Sequence, residues 1–377
     1  MKKKPPPLIL IQSSKTAADL RVLCGIQLPE TAVLIKKFHS STLIVSNMEY
    51  SRIRRNAKRG ITVTHPEKIG STWKKGPSDW ISKCILGKRL RVTPDFSIAL
   101  AEQLKKKGFS LTVCKEPVCP GREIKTVDEA KAVQQSQRAA VAAMKAAIAQ
   151  IASAKIGRDR LLRIGKTILT SEAVRAIIGH VLLDLDCIAE ETIVSCGPAS
   201  ADPHERGEGP LRAGEPIVID IFPRSRTCAA SGGKTGYWGD ITRTVCRGPA
   251  PIALKKQYNA VKSAQAAALK EVKAGAWADD VHATAAAELD RRGFQTETIN
   301  DTPQGFIHGT GHGVGLEIHE APRVSSANHQ KLRAGHIITI EPGLYYSEIG
   351  GVRIEDTILV TKEGYKMLAP CPKKLEI

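Results

Sequence analysis

Apolar runs mark the first elements of the chain. LILIQ at 8–12 and TLIVSN at 42–47 read as buried strands. DFSIALAEQLKKKG at 95–108 repeats its apolar positions at helical spacing and closes on a glycine stop. SLTVCKEP then reads as another strand. Strands alternating with helices over the first 120 residues predict a small α/β unit. PVCPGREIKT at 117–126 interrupts the pattern with two prolines and a glycine and sets a boundary, so the expected domains are 1–121 and 122–377.

Beyond the boundary the period lengthens. Thr126 and Glu129 have the spacing of a capping box, and Val133, Val141, Met144, Ile148 and Ile151 follow on one helical face. A methionine on such a stripe belongs to the core. Val174, Ile177, Ile178, Val181, Leu182 and Leu185 mark a second amphipathic helix over 171–186. Short strands and turns fill 192–246. Helical patterns return at 252–273 and 278–292, and strands run on to the end. Two helix pairs, each ahead of a strand-rich stretch, predict one large α+β domain with an internal duplication that no residue-by-residue repeat shows.

Composition changes this picture little. At 377 residues and 42% hydrophobic content, two domains with ample cores are expected, and 4% aromatics means those cores lean on aliphatic side chains. The net charge of +18 raises the question of a nucleic-acid partner. No zinc-finger spacing, RNA-binding aromatic motif or basic heptad helix accompanies it, so a basic solvated surface is the plainer account and specific nucleic-acid binding is not expected. Nine cysteines, none in a C-x-x-C pair, suit a reducing cytoplasm. The opening MKKKPPPLILIQSS has too short an apolar run for a signal peptide, and no stretch is long and apolar enough to span a membrane.

Polar residues at the ends of apolar runs carry the candidate chemistry. PIVIDIFPR puts Asp220 at the end of an apolar run, GYWGDITRTV contains Asp240, IITIEPGLYY sets Glu341 after a strand, and GGVRIEDTILV holds Arg353 and Glu355. HGTGHGVGLEIHE at 308–320 adds His308, His312 and His319. His308 and His312 have helical ligand spacing, but the interleaved glycines, each costing about 1 kcal/mol in a helix, argue for extended or looping backbone. The glycines are expected to let that backbone approach a metal site and substrate. Singly, each residue has a plain explanation: a turn aspartate, a turn-opening Glu-Pro-Gly, a structural histidine. A carboxylate in an apolar strand nevertheless needs a partner or a metal, and four of them share one domain.

Taken in order, DIFPR…GYWGDITRTV, HGTGHGVGLEIHE, IITIEPGLYY and GGVRIEDTILV resemble the signature of the pita-bread metallopeptidases, across all of 122–377. DITRT, GVRIED and an N-terminal domain are most similar to the Xaa-Pro aminopeptidase and prolidase branch. ADLRVLCG and TLIVSNMEYSRIRR weakly resemble that branch's creatinase-like N-terminal domain. One departure is RSRTCAASGGKT between Asp220 and Asp240, longer than the family pattern and expected to extend a hairpin tip.

The resemblance implies an α+β catalytic domain of two pseudo-symmetric helix-plus-antiparallel-sheet halves behind a small α/β domain. It implies two divalent ions held by Asp220, Asp240, His312, Glu341 and Glu355, with Asp220 and Glu355 shared between them, and Xaa-Pro hydrolysis by a bridging hydroxide. It gives Glu341 a proton-transfer role, His319 an oxyanion-stabilising role and His204 a place beside the scissile bond. It puts His308, Tyr345 and Arg353 around the substrate, and implies a homodimer. Oxygen-rich ligation with one imidazole favours Mn2+, with Co2+, Fe2+ and Zn2+ as alternatives. Other readings are an aminopeptidase without proline preference, a metal-free creatinase-like hydrolase, and a non-catalytic scaffold binding RNA or protein.

Overall fold

In the computed structural model, which describes residues 5–12, 17–28, 30–226, 236–299 and 301–377, alternation in the first strand separates two apolar layers. Leu8 and Leu10 of β1 (Leu8–Ile11) join one cluster, with Leu20 of α1 (Ala17–Cys24) and Ile53 of α2 (Asn47–Asn56). Ile9 joins the other, with Trp80 and Ile81 of α3 (Gly76–Cys84) and Leu100 and Leu104 of α4 (Ile98–Lys106). A strand covered on both faces must be apolar throughout. The remaining strands are β2 (Val33–Lys36), β3 (Ser41–Ile44), β4 (Ile61–Thr64), β5 (Arg89–Val92) and β6 (Ser110–Val113). They form one mixed sheet in the order β4-β3-β2-β1-β5-β6.

Two boundaries shift for reasons of capping. TLIVSN does not remain a strand to 47, because the Ser46 hydroxyl accepts the Glu49 amide and opens α2. The helix predicted from 95 starts at Ile98, because Ser97 caps it in the same way. The chain divides into two compact units, Met1–Arg122 and Glu123–Ile377.

The second unit begins with α5 (Val127–Ser153), opened by the Thr126/Glu129 capping box. With α6 (Ser171–Asp184) it covers a three-stranded antiparallel sheet of β7 (Ile193–Cys196), β8 (Ile217–Ile221) and β9 (Ile241–Val245). A second helix pair, α7 (Ile252–Glu271) and α8 (Ala278–Arg291), covers the other sheet. That sheet is built from β10 (Gly311–Gly313), β11 (Glu320–Val324), β12 (Ile337–Ile340), β15 (Asp356–Val360) and β16 (Tyr365–Met367). Hairpin β13 (Gly343–Tyr346)/β14 (Gly350–Arg353) lies between β12 and β15 in the chain. This is the α+β pita-bread arrangement, a helix pair and a sheet used twice. Its cores are tightly filled: Ile219 and Ile221, on either side of Asp220, are fully buried, and Ile219→Ala would cost roughly 2–5 kcal/mol.

The base of the expected long hairpin between Asp220 and Asp240 is ordered by hydrogen bonds from Ser225 N to Tyr237 O and from Gly236 N to Ser225 O. Its tip, 227–235, lies outside the described residues, as does the basic stretch Lys2–Lys4.

Candidate metal centre

The two sheets present their carboxylates to one place. Asp220 sits on β8 opposite Thr242 of β9, and Asp240 immediately precedes β9. Glu341 follows β12, and Glu355 precedes β15. His312 is the middle residue of the short strand β10, so the backbone around it is extended rather than helical. Ligand atoms of Asp240, His312 and Glu355 lie within 4.8 Å of one another, and all three residues are buried. His312 Nε2 is 3.5 Å from Asp240 Oδ2 and 3.3 Å from Glu341 Oε1. Asp220 joins from the other side, where Arg353 Nη2 donates to its Oδ2 at 2.8 Å.

Electrostatics make the cluster costly as it stands. Burial first, then Glu355, Asp220 and Glu341, push the Asp240 carboxyl well above the usual carboxylate range. Burial, Glu341 and Asp220 do the same to Glu355. Glu341 is also raised, chiefly by burial. His312 Nδ1 lies 3.1 Å from the Gly313 carbonyl, which can only accept, so this nitrogen carries the proton. Nε2 then turns a lone pair toward two carboxylate oxygens. Burial drops the His312 pKa to about 4, so at neutral pH the imidazole itself carries no second proton. Asp220 Oδ1 and Glu355 Oε1 are buried and accept no hydrogen bond among the described residues. Unpaired buried acceptors, a lone pair aimed at carboxylates and an oxygen-rich donor set all fit divalent cations.

The other predicted residues surround this cluster. Arg353 is buried, and its Nη1 donates to the Tyr345 hydroxyl at 2.7 Å. That hydroxyl is 3.0 Å from His308 Nε2. Tyr345 is only 1% exposed, and its hydroxyl is taken up by these two residues. The His319 ring stands edge-on to His312 with centroids 4.5 Å apart. Burial, then the charges of His312, Arg323 and His204, lower its pKa to about 4. His204 is exposed on a loop whose Pro203 carbonyl accepts from Arg353 Nη1 at 3.4 Å.

A family model, metallopeptidase family M24, matches residues 131–362. The chain belongs to metallopeptidase family M24. Over 340 residues it is 31% identical to a Pyrococcus horikoshii protein named Xaa-Pro dipeptidase, covering 89% of this chain and 86% of that one. Its fold matches the solved prolidase of Pyrococcus furiosus with a TM-score of 0.80 at 26% identity, over 97% of each chain. It matches the prolidase of Pyrococcus horikoshii with a TM-score of 0.81 at 27% identity, over 98% of this chain and 95% of that one. The chain is a metallopeptidase.

Two glycines of this M24 site serve the packing of the strands. A Cβ on Gly311 would run into the Thr339 carbonyl of β12, and one on Gly313 into the Ala321 carbonyl of β11. They let three strands pack closely around His312.

Sequence reasoning also gave no role to several residues that hold the acidic ones. Thr242 donates to Glu355 Oε2 at 2.8 Å and accepts from Arg353 Nε at 3.2 Å. Thr339 accepts the His312 amide and donates to Glu341 Oε1. Gln137, fully buried on α5, clamps the Asp240 backbone by both its amide and its carbonyl. Behind them, buried Arg243 donates to the carbonyls of Thr242, Glu355, Cys371 and Pro372. It also pairs with Asp356 at 2.7 Å, while Lys373 Nζ reaches the other Asp356 oxygen at 2.6 Å. Alternation along DITRT offered a signal: 240, 242 and 244 share one face of β9, and Arg243 must face the opposite way.

Proposed function

We propose that this chain hydrolyses Xaa-Pro peptide bonds, with dipeptides as the preferred substrates. In this reading Asp220, Asp240, His312, Glu341 and Glu355 would hold two divalent ions, most suitably Mn2+. The observation that carries the reading is the convergence of buried, unpaired carboxylate oxygens and the His312 lone pair on one point, in a chain whose relatives are named Xaa-Pro dipeptidase and prolidase. Bound there, such ions lower the pKa of water toward neutrality and polarise the peptide carbonyl.

The chain's own residues do the rest. At neutral pH Glu341, its carboxyl raised chiefly by burial, is the group that transfers the proton. It takes a proton from the attacking water and returns it to the proline nitrogen as the C–N bond breaks. His319 is neutral at that pH and offers an imidazole N–H to the developing oxyanion, a contribution worth roughly 10²–10³ in rate. His204 closes the cleft beside the scissile bond. Arg353, held by Tyr345 and Thr242, fixes one wall together with His308.

The test is turnover of a Met-Pro dipeptide and of the matching tripeptide, before and after chelation, with Mn2+, Co2+, Fe2+ and Zn2+ returned singly. Hydrolysis of the dipeptide alone, lost on chelation and restored by Mn2+, is expected. Cleavage of the tripeptide would assign aminopeptidase activity instead. No turnover of either, with any ion, would remove the Xaa-Pro reading. A scaffold without catalysis, or a metal-free hydrolase, has no need of so many unneutralised buried carboxylates.

The reading extends to a cytoplasmic homodimer. All eight cysteines among the described residues are free thiols, as a reducing compartment allows. Among the described residues no helix is long and apolar enough to cross a membrane. Light scattering should return twice the 40.7 kDa of one chain.

A further inference from the structure

Charge is divided unequally between the two units. Residues 1–122 hold 24 Lys and Arg against eight Asp and Glu, whereas residues 123–377 hold 32 against 30. The net charge of +18 therefore resolves into +16 in the smaller unit and +2 in the one that carries the carboxylate cluster. Hydrolysis of a small neutral dipeptide has no use for that concentration of cations. Self-repulsion on this scale in about 120 residues destabilises the compact state unless an anion offsets it.

The cations are not consumed by internal pairing. Arg54 and Arg55 on α2, and Lys58 and Arg59 in the turn after it, are exposed and form no ion pair among the described residues. On the opposite side of the sheet, Lys83 of α3 and Lys105 and Lys106 of α4 are likewise exposed and unpaired among the described residues. Helices α1 and α2 pack on one face of the sheet and α3 and α4 on the other, so both outer layers are basic. Aromatic surface accompanies them. Lys68 Nζ lies 4.3 Å from the Tyr50 ring centroid, and Arg54 flanks the same ring. Phe38 is 64% and Trp73 43% exposed.

We propose that the N-terminal unit binds single-stranded nucleic acid without sequence preference, through phosphate contacts from these Lys and Arg residues and stacking of bases on the exposed rings. Such binding combines a backbone-tracking basic surface with aromatic platforms. A flat anionic bilayer meets one face only, whereas a flexible polyanion can follow cations on both layers. That difference favours the polymer.

The experiment is fluorescence anisotropy of a labelled 20-nucleotide single-stranded RNA with the full chain, across a salt series. Binding in the about 10⁻⁴–10⁻⁶ M range at physiological salt is expected, weakening steeply as salt rises. Removing one phosphate-binding cation lowers the log–log salt slope by about 0.7. The triple variant Arg54→Gln, Arg55→Gln, Arg59→Gln should therefore reduce the slope by about 2 and weaken binding at low salt at least tenfold. Lys58 is left in place because its side chain packs over Gly25 and donates to Val22 O. A second variant, Lys105→Gln with Lys106→Gln, probes the other face and should reduce the slope by about 1.4. Both variants should keep the parent's circular dichroism and its dipeptide turnover. Absence of RNA binding at 50 mM salt would overturn the proposal. So would RNA binding that neither variant weakens, or tight binding only to vesicles containing 30% phosphatidylserine.

Discussion

Glu355 and Asp356 are neighbours in the chain, yet they meet opposite fates on two faces of the same backbone. Asp356 is buried between Arg243 and Lys373 and also accepts from Gln265, so the protein supplies its counter-charge internally. Glu355 is just as buried but faces Asp220, Asp240 and Glu341, and one of its oxygens has no hydrogen-bond partner among the described residues. Arg353 is the one buried guanidinium on that side among the described residues, and it is committed to Asp220, Tyr345 and Thr242. Where this fold needs a buried carboxylate neutralised for structure, it builds the cations in. Where it leaves several unneutralised, the balancing charge has to come from solution. Unpaired charge beside paired charge therefore separates a site from its scaffold more sharply than burial does.

Breaking the paired face should have the larger effect on stability. Arg243→Met removes one partner of a buried ion pair and orphans four carbonyls, and should cost about 3–5 kcal/mol in denaturant unfolding of the metal-free protein. A cost below about 1 kcal/mol would show that Asp356 is not held as described.

On the unpaired face the sign should reverse. Glu355→Gln and Asp240→Asn each remove a like-charge repulsion, so in chelator each should melt above the parent, by an amount worth roughly 1–2 kcal/mol. Added Mn2+ at a hundredfold excess over its Kd should stabilise the parent by about 2.7 kcal/mol and these variants hardly at all. A variant that melts below the parent in chelator would contradict the comparison.

Lys373→Met tests the second cation on Asp356. Because Lys373 is partly exposed and Arg243 remains, the cost should be nearer about 1 kcal/mol.

The smallest effect concerns His336, buried away from both faces. Burial, then Arg333 and Lys125, lower its pKa to about 4. The folded protein thus keeps the ring neutral, while the unfolded chain takes up a proton near pH 6.5. The stability it contributes is present above about 6.5 and is lost as pH falls toward 4. His336→Gln should flatten that part of the stability profile, measured against the parent in the same buffers.

How much of this was legible beforehand follows from how far apart partners lie in the chain. The long helices of the second unit repeat their apolar residues at 3.6-residue spacing, and the Thr126/Glu129 box spans three residues, so both signals are local. Asp240, His312 and Glu355 stood out because their segments, in order, resemble the signature of a known family, and the structure brings these three together. Arg243 did not stand out. Its partner Asp356 is 113 residues away, and nothing local distinguishes a lysine such as Lys373 from the many on the surface. The glycines of HGTGHGVG were visible, but their purpose was not, because only the register of β10 against β11 and β12 shows which backbone they must clear. The charge division was countable all along, but it acquires meaning only when the basic residues are seen on both helical layers of one unit.

Lys373 and the Cys371–Pro372 carbonyls complete the backing of the site, and all of them follow the five acidic and imidazole residues in the chain. During synthesis on a ribosome, Asp220 through Glu355 emerge before the segment that braces Arg243 and Asp356 from behind. Translation therefore imposes an order of assembly: a chain ending at residue 370 would hold all five candidate ligands, but on a β9–β15 junction still lacking its last support.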